Sequence, residues 1–274
     1  ERGRRRRRRA RRPRHGRRRG VPAPDVGLSA AVDLVALAVP ATGSLAASVL
    51  GAPAPGSLAV PVLGAPAPTS LVASSSVLAE SSSVVVPLLV ASLAAVVGYG
   101  IGAINPASLI ARVRGVDLAS VGSGNPGATN AGRALGWKVG VLVGVLDALK
   151  GFVPVLAFEL LGYPEAGLVA GLAAVLGHVT SPFLRGRGGK GVATSLGAIL
   201  AVQPIWVLPV MTAFGLGYAL TRRVGLSSVA AAVVLVPAAI WKHTSEAQVW
   251  FAVALTLLVL VRHRKNLLAA LRRT

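Results

Sequence analysis

Residues 139–162 read VGVLVGVLDALKGFVPVLAFELLG. The run is almost continuously apolar, and it matches the ~20 residues a helix needs to cross the hydrocarbon core of a bilayer. Charge enters only at Asp147, Lys150 and Glu159. Asp147 and Lys150 stand three residues apart, so a helix puts them on one face within reach of each other. Charge inside a membrane segment is costly and is generally paired or functional. The two are therefore expected to form an internal salt bridge that supports a site, while Glu159, near the far end, reaches water.

Comparable runs lie on either side, at 84–109, 165–180, 192–202, 204–221, 226–241 and 247–261, which makes seven expected spans. The stretch 192–202 is short for a crossing and is expected to be tilted or re-entrant. Composition agrees: 53% of residues are hydrophobic and 14% charged, with a mean hydropathy of +0.67, which excludes an ordinary soluble domain. With aromatics at 4%, the apolar mass is Ala, Val, Leu and Gly, small residues that let helices approach closely in lipid. The chain has no cysteine, which excludes disulfides, thiol catalysis and Cys-ligated zinc. The fold class expected is an all-α membrane protein of about seven transmembrane helices, with cytoplasmic polar loops forming the site and a disordered N-terminal extension.

The loops give the orientation. One alternate set carries Arg112, Arg114, Arg133 and Lys138, then Arg185, Arg187 and Lys190, then Arg222 and Arg223, then Arg262, Arg264, Lys265, Arg272 and Arg273. The other set carries Lys242, with Glu165 and Glu246. Positive loops mark the cytoplasmic side. The core is thus expected to start outside and end inside.

Residues 1–83 differ in kind. Residues 1–20 hold thirteen arginines, and residues 21–83 are rich in Ala, Pro, Ser, Val and Gly, with VLGAPAP at both 49–55 and 62–68. Low-complexity sequence of this type is expected to be disordered. An arginine block outside the membrane conflicts with the orientation of the core. A misassigned start, suggested by Glu1 in place of Met, is favoured over a spanning 28–50 segment or a translocated tail. The block would attract polyanions nonspecifically, but no nucleic acid is expected to bind the core at 84–274.

Three polar clusters fall in the positive loops. The first is SVGSGNPGATNAGR, residues 120–133. Its glycines let backbone N–H groups approach an anion, Ser123, Asn125, Thr129 and Asn130 add polar groups, and Arg133 offers a donor fork suited to phosphate. A flexible turn would use the same residue types. The second is GHVTSPFLRGRGGKGVAT, residues 177–194, in which GGKG opens an apolar helix. A helix N-terminus with Lys190 beside it suits an anion, although the spacing is not that of a Walker A loop. A basic membrane-flanking loop is the plainer alternative, and His178 reads equally as a structural histidine. The third is RHRKN, residues 262–266. If the helix continues, His263 and Asn266 share a face; alone, this reads more readily as a basic stop signal. No carboxylate cluster suited to two metals is present, so a metal-free mechanism is favoured; no cofactor is expected.

The order of these clusters resembles the PlsY family of bacterial membrane acyltransferases over roughly residues 90–272. The matching elements are Gly122-Ser123-Gly124-Asn125, Gly127-Ala128-Thr129-Asn130, Leu146-Asp147, Lys150-Gly151, Gly177-His178, Gly188 to Thr194, and His263 with Asn266. The resemblance implies transfer of a fatty acyl group from acyl phosphate to glycerol 3-phosphate, giving lysophosphatidic acid, the first acylation of phospholipid synthesis. It implies Ser123, Arg133, Lys190, His263 and Asn266 as catalytic residues. Asn125, Gly127, Thr129, Asn130, His178, Gly188, Gly189, Gly191 and Thr194 are implied to bind substrate or phosphate. The partners implied are acyl phosphate, glycerol 3-phosphate and membrane lipid; oligomeric state is left open. The chain departs from the family pattern at Arg185-Gly186-Arg187, at Pro126 and in its short C-terminus. A transporter of a phosphorylated or anionic solute is the alternative function, since a short span and a GGKG loop also suit a broken-helix binding site.

Overall fold

A computed structural model describes the backbone of residues 69–242 and 244–272, with side chains from residue 84 onward. The arginine block, the VLGAPAP repeat and the 28–50 segment lie outside the described residues. Among those described, all regular structure is helical. In chain order the α-helices are α1 (Thr69–Ala103), α2 (Pro106–Val113), α3 (Ala128–Leu135), α4 (Trp137–Leu160), α5 (Pro164–Thr180), α6 (Val192–Val202), α7 (Val207–Thr221), α8 (Val224–Trp241), α9 (Glu246–Arg262) and α10 (Arg264–Leu271).

Helix α1 starts upstream of the expected boundary at residue 84, so residues 69–83 are helical where composition suggested disorder. No Gly or Pro stands between Pro68 and Pro87, so nothing local breaks the helix there. Beyond Val84 its surface is apolar all round. Leu88 remains 62% exposed and Val96 71%, as suits a face turned to lipid rather than water.

Among the described residues, five segments are long and apolar enough to cross a membrane: Val84–Val113, Trp137–Leu160, Pro164–Leu184, Pro204–Thr221 and Val224–Trp241. A sixth is possible if α9 and α10, bent by 59°, count as one broken span. Among the described residues the count is therefore five or six, against the seven expected. Helix α6 has 11 residues and reaches only about 16 Å, against a hydrocarbon core of ~30 Å. It stops because Gln203 precedes Pro204 and takes an extended backbone, φ −157° and ψ 92°. The last apolar helix ends within a residue of the expected 261 and does not continue. It stops at Arg262, so His263 and Asn266 flank a bend instead of sharing one continuous helix.

Helix contacts are set by missing side chains. A Cβ on Gly98 or Gly102 would run into the backbone of Ala170 or Ala174, and one on Gly177 into Tyr99. These glycines let α1 lie directly on α5. Gly151 against Thr194 and Gly197 against Ala148 do the same for α4 and α6. A larger core joins Val155, Val175, Ile199, Trp206, Leu235, Phe251 and Leu255 from the later helices.

Between α1 and α2 the chain breaks at Asn105-Pro106. Pro106 disfavours helix at Asn105, which turns extended and caps α2 by accepting from the Ser108 N–H at 2.8 Å. The carbonyls left over at a helix end need donors. Ser181 Oγ donates to Ala103 at 2.6 Å, and Lys150 Nζ donates to Ile104 at 2.7 Å.

Candidate functional site

The loop before α3 is shaped by Gly122 and Gly124, both in the left-handed region at φ 55° and 68°. Asn130 frames it from inside. Its Nδ2 donates to the Leu118 carbonyl at 3.0 Å, and its Oδ1 accepts from the Ser123 N–H at 3.1 Å. Asn130 is buried, so both ends of its amide are spent on the loop backbone rather than on its open side. Ser123, Thr129 and Arg133 are exposed. The Asn125 N–H reaches Ser123 Oγ at 3.4 Å, and Gly127 precedes α3 with an extended backbone. Asn105 Nδ2 donates to the Pro126 carbonyl at 3.0 Å, which ties the loop to the break after α1.

The GGKG loop is held from both sides. From below, the Gly188 and Gly189 N–H groups donate to the carbonyls of Val179 and His178 at 3.1 and 3.0 Å. A Cβ on Gly188 would meet that backbone, and one on Gly189 would meet the His178 ring, so only glycine fits at either position. From the other side, Arg262 Nη2 donates to Gly188 and Gly189 at 3.0 and 3.1 Å, and its Nε to Gly189 at 3.3 Å. Gly191, at φ 81°, turns the chain into α6. Lys190 Nζ donates to Asn266 Oδ1 at 2.7 Å. Burial lowers the pKa of Lys190, and the Arg262 charge lowers it further.

His263 is buried at the bend, with Nδ1 2.8 Å from the Val259 carbonyl. A carbonyl can only accept, so Nδ1 carries the proton and Nε2 keeps its lone pair. Burial pushes its pKa down to about 4; the Val259 bond opposes this, and the charges of Lys190 and Arg262 add to it.

His178 and Thr194 lie beneath the loop rather than on its open side. Thr194 is fully buried where α6 meets Gly151 of α4. The His178 ring is buried between Gly189 and Asp147, with Nδ1 3.4 Å from Asp147 Oδ1. Asp147 pairs with Lys150 at 3.0 Å, as their spacing in the sequence suggests.

Among the described residues, no hydrogen bond or ion pair joins the Ser123–Arg133 cluster directly to the Lys190–Asn266 cluster. They are linked through the interior. Pro126 is held by Asn105; the adjacent Ile104 carbonyl is held by Lys150; Lys150 pairs with Asp147; Asp147 lies against His178; and His178 supports Gly189, which Arg262 clamps. Asn105 and Arg262 do not stand out in the sequence as site residues. Asn-Pro at 105–106 does carry a helix-start signal, whereas Arg262 reads as one more basic residue after a span.

Apolar helices with lipid-suited faces, carrying at their ends a glycine loop with Lys190 and two cation-bearing clusters, define a polytopic membrane protein. Comparison with known proteins carries this further. The Glycerol-3-phosphate acyltransferase family profile matches residues 92–273. A Glycerol-3-phosphate acyltransferase of Geobacter sulfurreducens is 44% identical over 174 residues, 62% of this chain and 89% of that protein. Glycerol-3-phosphate acyltransferase 1 of Deinococcus radiodurans is 45% identical over 189 residues, covering 65% and 91%. The crystal structure of PlsY (YgiH), an integral membrane glycerol 3-phosphate acyltransferase in its glycerol 3-phosphate form, superposes with a TM-score of 0.64 at 37% identity, covering 66% of this chain and 92% of that one. Its lysophosphatidic acid form gives 0.62 at 36%. The chain belongs to the glycerol-3-phosphate acyltransferase family and is a multi-pass membrane acyltransferase.

Proposed function

We propose that the chain transfers a fatty acyl group from acyl phosphate to glycerol 3-phosphate, releasing lysophosphatidic acid and inorganic phosphate at the cytoplasmic face of a bacterial membrane. The observation that carries the reading is the GGKG loop. Arg262 and His178 occupy its carbonyls and its underside, and Lys190 stands beside it, half-buried and bonded to Asn266. A loop held in this way is preorganised for a phosphate, with little reorganisation left for the moment of reaction.

In this mechanism the glycerol 3-phosphate hydroxyl attacks the acyl carbon, the acyl–oxygen bond to phosphate breaks, and phosphate leaves with the electron pair. Arg133 and Lys190 hold the two phosphate groups, whose mutual repulsion explains the need for several cations. Ser123 and Asn266 orient the hydroxyl or the carbonyl. The proton goes to His263 Nε2 or to the departing phosphate. The acyl chain lies in the apolar cavity lined by Leu196, Ile199, Met211, Phe214, Leu235 and Leu255, between α6, α7, α8 and α9.

The donor is tested by offering palmitoyl phosphate or a palmitoyl thioester with glycerol 3-phosphate to the purified chain. Lysophosphatidic acid and phosphate formed one to one from the first donor alone support the reading; equal use of the thioester refutes it. A His263→Gln variant with unchanged turnover would remove the histidine as base. The sidedness is tested in this cysteine-free chain by single cysteines at 187 and 165. Labelling of 187 from outside intact cells would contradict the orientation.

A further inference from the structure

An open cleft of about 260 Å³ lies between the first turn of α8 and α10, lined by Arg223, Leu226, Lys265, Asn266 and Ala269. Two cations border it and no acidic side chain does. Among the described residues, neither Arg223 nor Lys265 is in an ion pair, and both are exposed. No side chain caps α8, so the amides of its first turn add partial positive charge to the same wall.

Asn266 joins this cleft to the GGKG loop. Its Oδ1 accepts from Lys190, while its Nδ2 faces Gly225 in the first turn of α8, so closely that a Cβ there would run into it. One amide therefore has its acceptor committed to Lys190 and its donor turned toward α8 and the cleft. Leu226 and Ala269 form part of the wall, and Arg223, Lys265 and Asn266 bring its polar groups.

We propose that this cleft is a second anion site, which takes the phosphate group of a phosphorylated ligand, with Arg223 and Lys265 as its charged donors. The site reads charge and donor geometry and does not depend on the acyl-transfer reaction. The phosphate belongs either to a soluble ester waiting beside Lys190 or to a lipid headgroup at the membrane surface.

The test is phosphate binding rather than turnover, so its failure is separate from failure of the reaction assigned above. Inorganic phosphate is titrated calorimetrically into the full chain in a neutral detergent, in a Lys190→Gln background that weakens the GGKG site. Arg223→Gln and Lys265→Gln are each expected to weaken the remaining binding about two- to five-fold, the scale of a partly exposed charge pair, and together about four- to twenty-five-fold. Both side chains are exposed, and thermal unfolding confirms that the variants fold. The source is then read in vesicles of phosphatidylcholine with or without phosphatidylglycerol. Competition by phosphatidylglycerol in the parent but not in the Arg223→Gln, Lys265→Gln chain assigns a headgroup; its absence, with phosphate binding retained, assigns a soluble ester. Phosphate binding in the double variant equal to that of the parent in detergent and in both vesicles overturns the site.

Discussion

Arg262 gives the sharpest mutational test, because it touches the GGKG loop only through backbone carbonyls. Arg262→Ala removes three N–H contacts to Gly188 and Gly189, at 3.0, 3.1 and 3.3 Å. A charge-assisted hydrogen bond contributes about 1.5–3 kcal/mol. Nη2 is shared between two carbonyls and the Nε contact is long, so the set counts as nearer two weak bonds than three strong ones. That places the loss at about 2–3 kcal/mol of loop positioning, partly offset by water reaching the freed carbonyls. At 1.36 kcal/mol per decade, the cost in kcat/KM is about 30- to 150-fold. Arg262→Lys keeps a charge but cannot reach both carbonyls as a fork, and should recover only part of the loss. The assay is steady-state acyl transfer in lipid, with thermal unfolding as the control for folding. If Arg262→Ala stays within three-fold of the parent in kcat/KM, the loop does not depend on the clamp and the reasoning fails.

The same contacts predict three further outcomes. A double-mutant cycle on Lys190→Ala and Asn266→Ala should show a coupling of about 1–2 kcal/mol in kcat/KM, because the 2.7 Å bond is lost in either single variant; additive effects would mean that the pair does not act together. Asp147→Ala should leave Lys150 uncompensated in the interior and cost about 3–5 kcal/mol, read as a fall in unfolding temperature, while replacing both partners by apolar residues should cost less. His263 is held neutral by burial, with its pKa lowered from 6.5 to about 4. The unfolded chain takes up that proton first, so the stability is fully present above pH 6.5 and is lost as the pH falls through about 4; His263→Gln should flatten that part of a stability–pH curve.

The apolar helices are plain in the sequence, since length and hydropathy carry that signal directly. So is the Asp147–Lys150 pair, because the i,i+3 spacing on one helix needs no tertiary knowledge. That α6 is too short to be a full span is equally plain, since its apolar run covers only 192–202 and Gln203-Pro204 marks the break. The division of labour inside the clusters is hidden for a different reason. Asn130, His178 and Thr194 are polar residues in a polar motif, and composition cannot separate a group that meets a ligand from one that holds the backbone in place. What the structure adds is their placement: all three lie inside, whereas Ser123 and Arg133 are exposed. Arg262 reads as a stop signal because a basic residue after an apolar helix already satisfies the topology rule. Its bonds to Gly188 and Gly189 span more than seventy residues of sequence, and no local pattern reports them.

The most direct measurement is acyl transfer by the full chain reconstituted in lipid, with palmitoyl phosphate and glycerol 3-phosphate supplied and lysophosphatidic acid and phosphate followed together. The account predicts both products in equal amounts from the parent, and a loss of at least two orders of magnitude with Lys190→Ala. Product formation that survives Lys190→Ala undiminished would contradict the claim that the GGKG loop is where the phosphate is held.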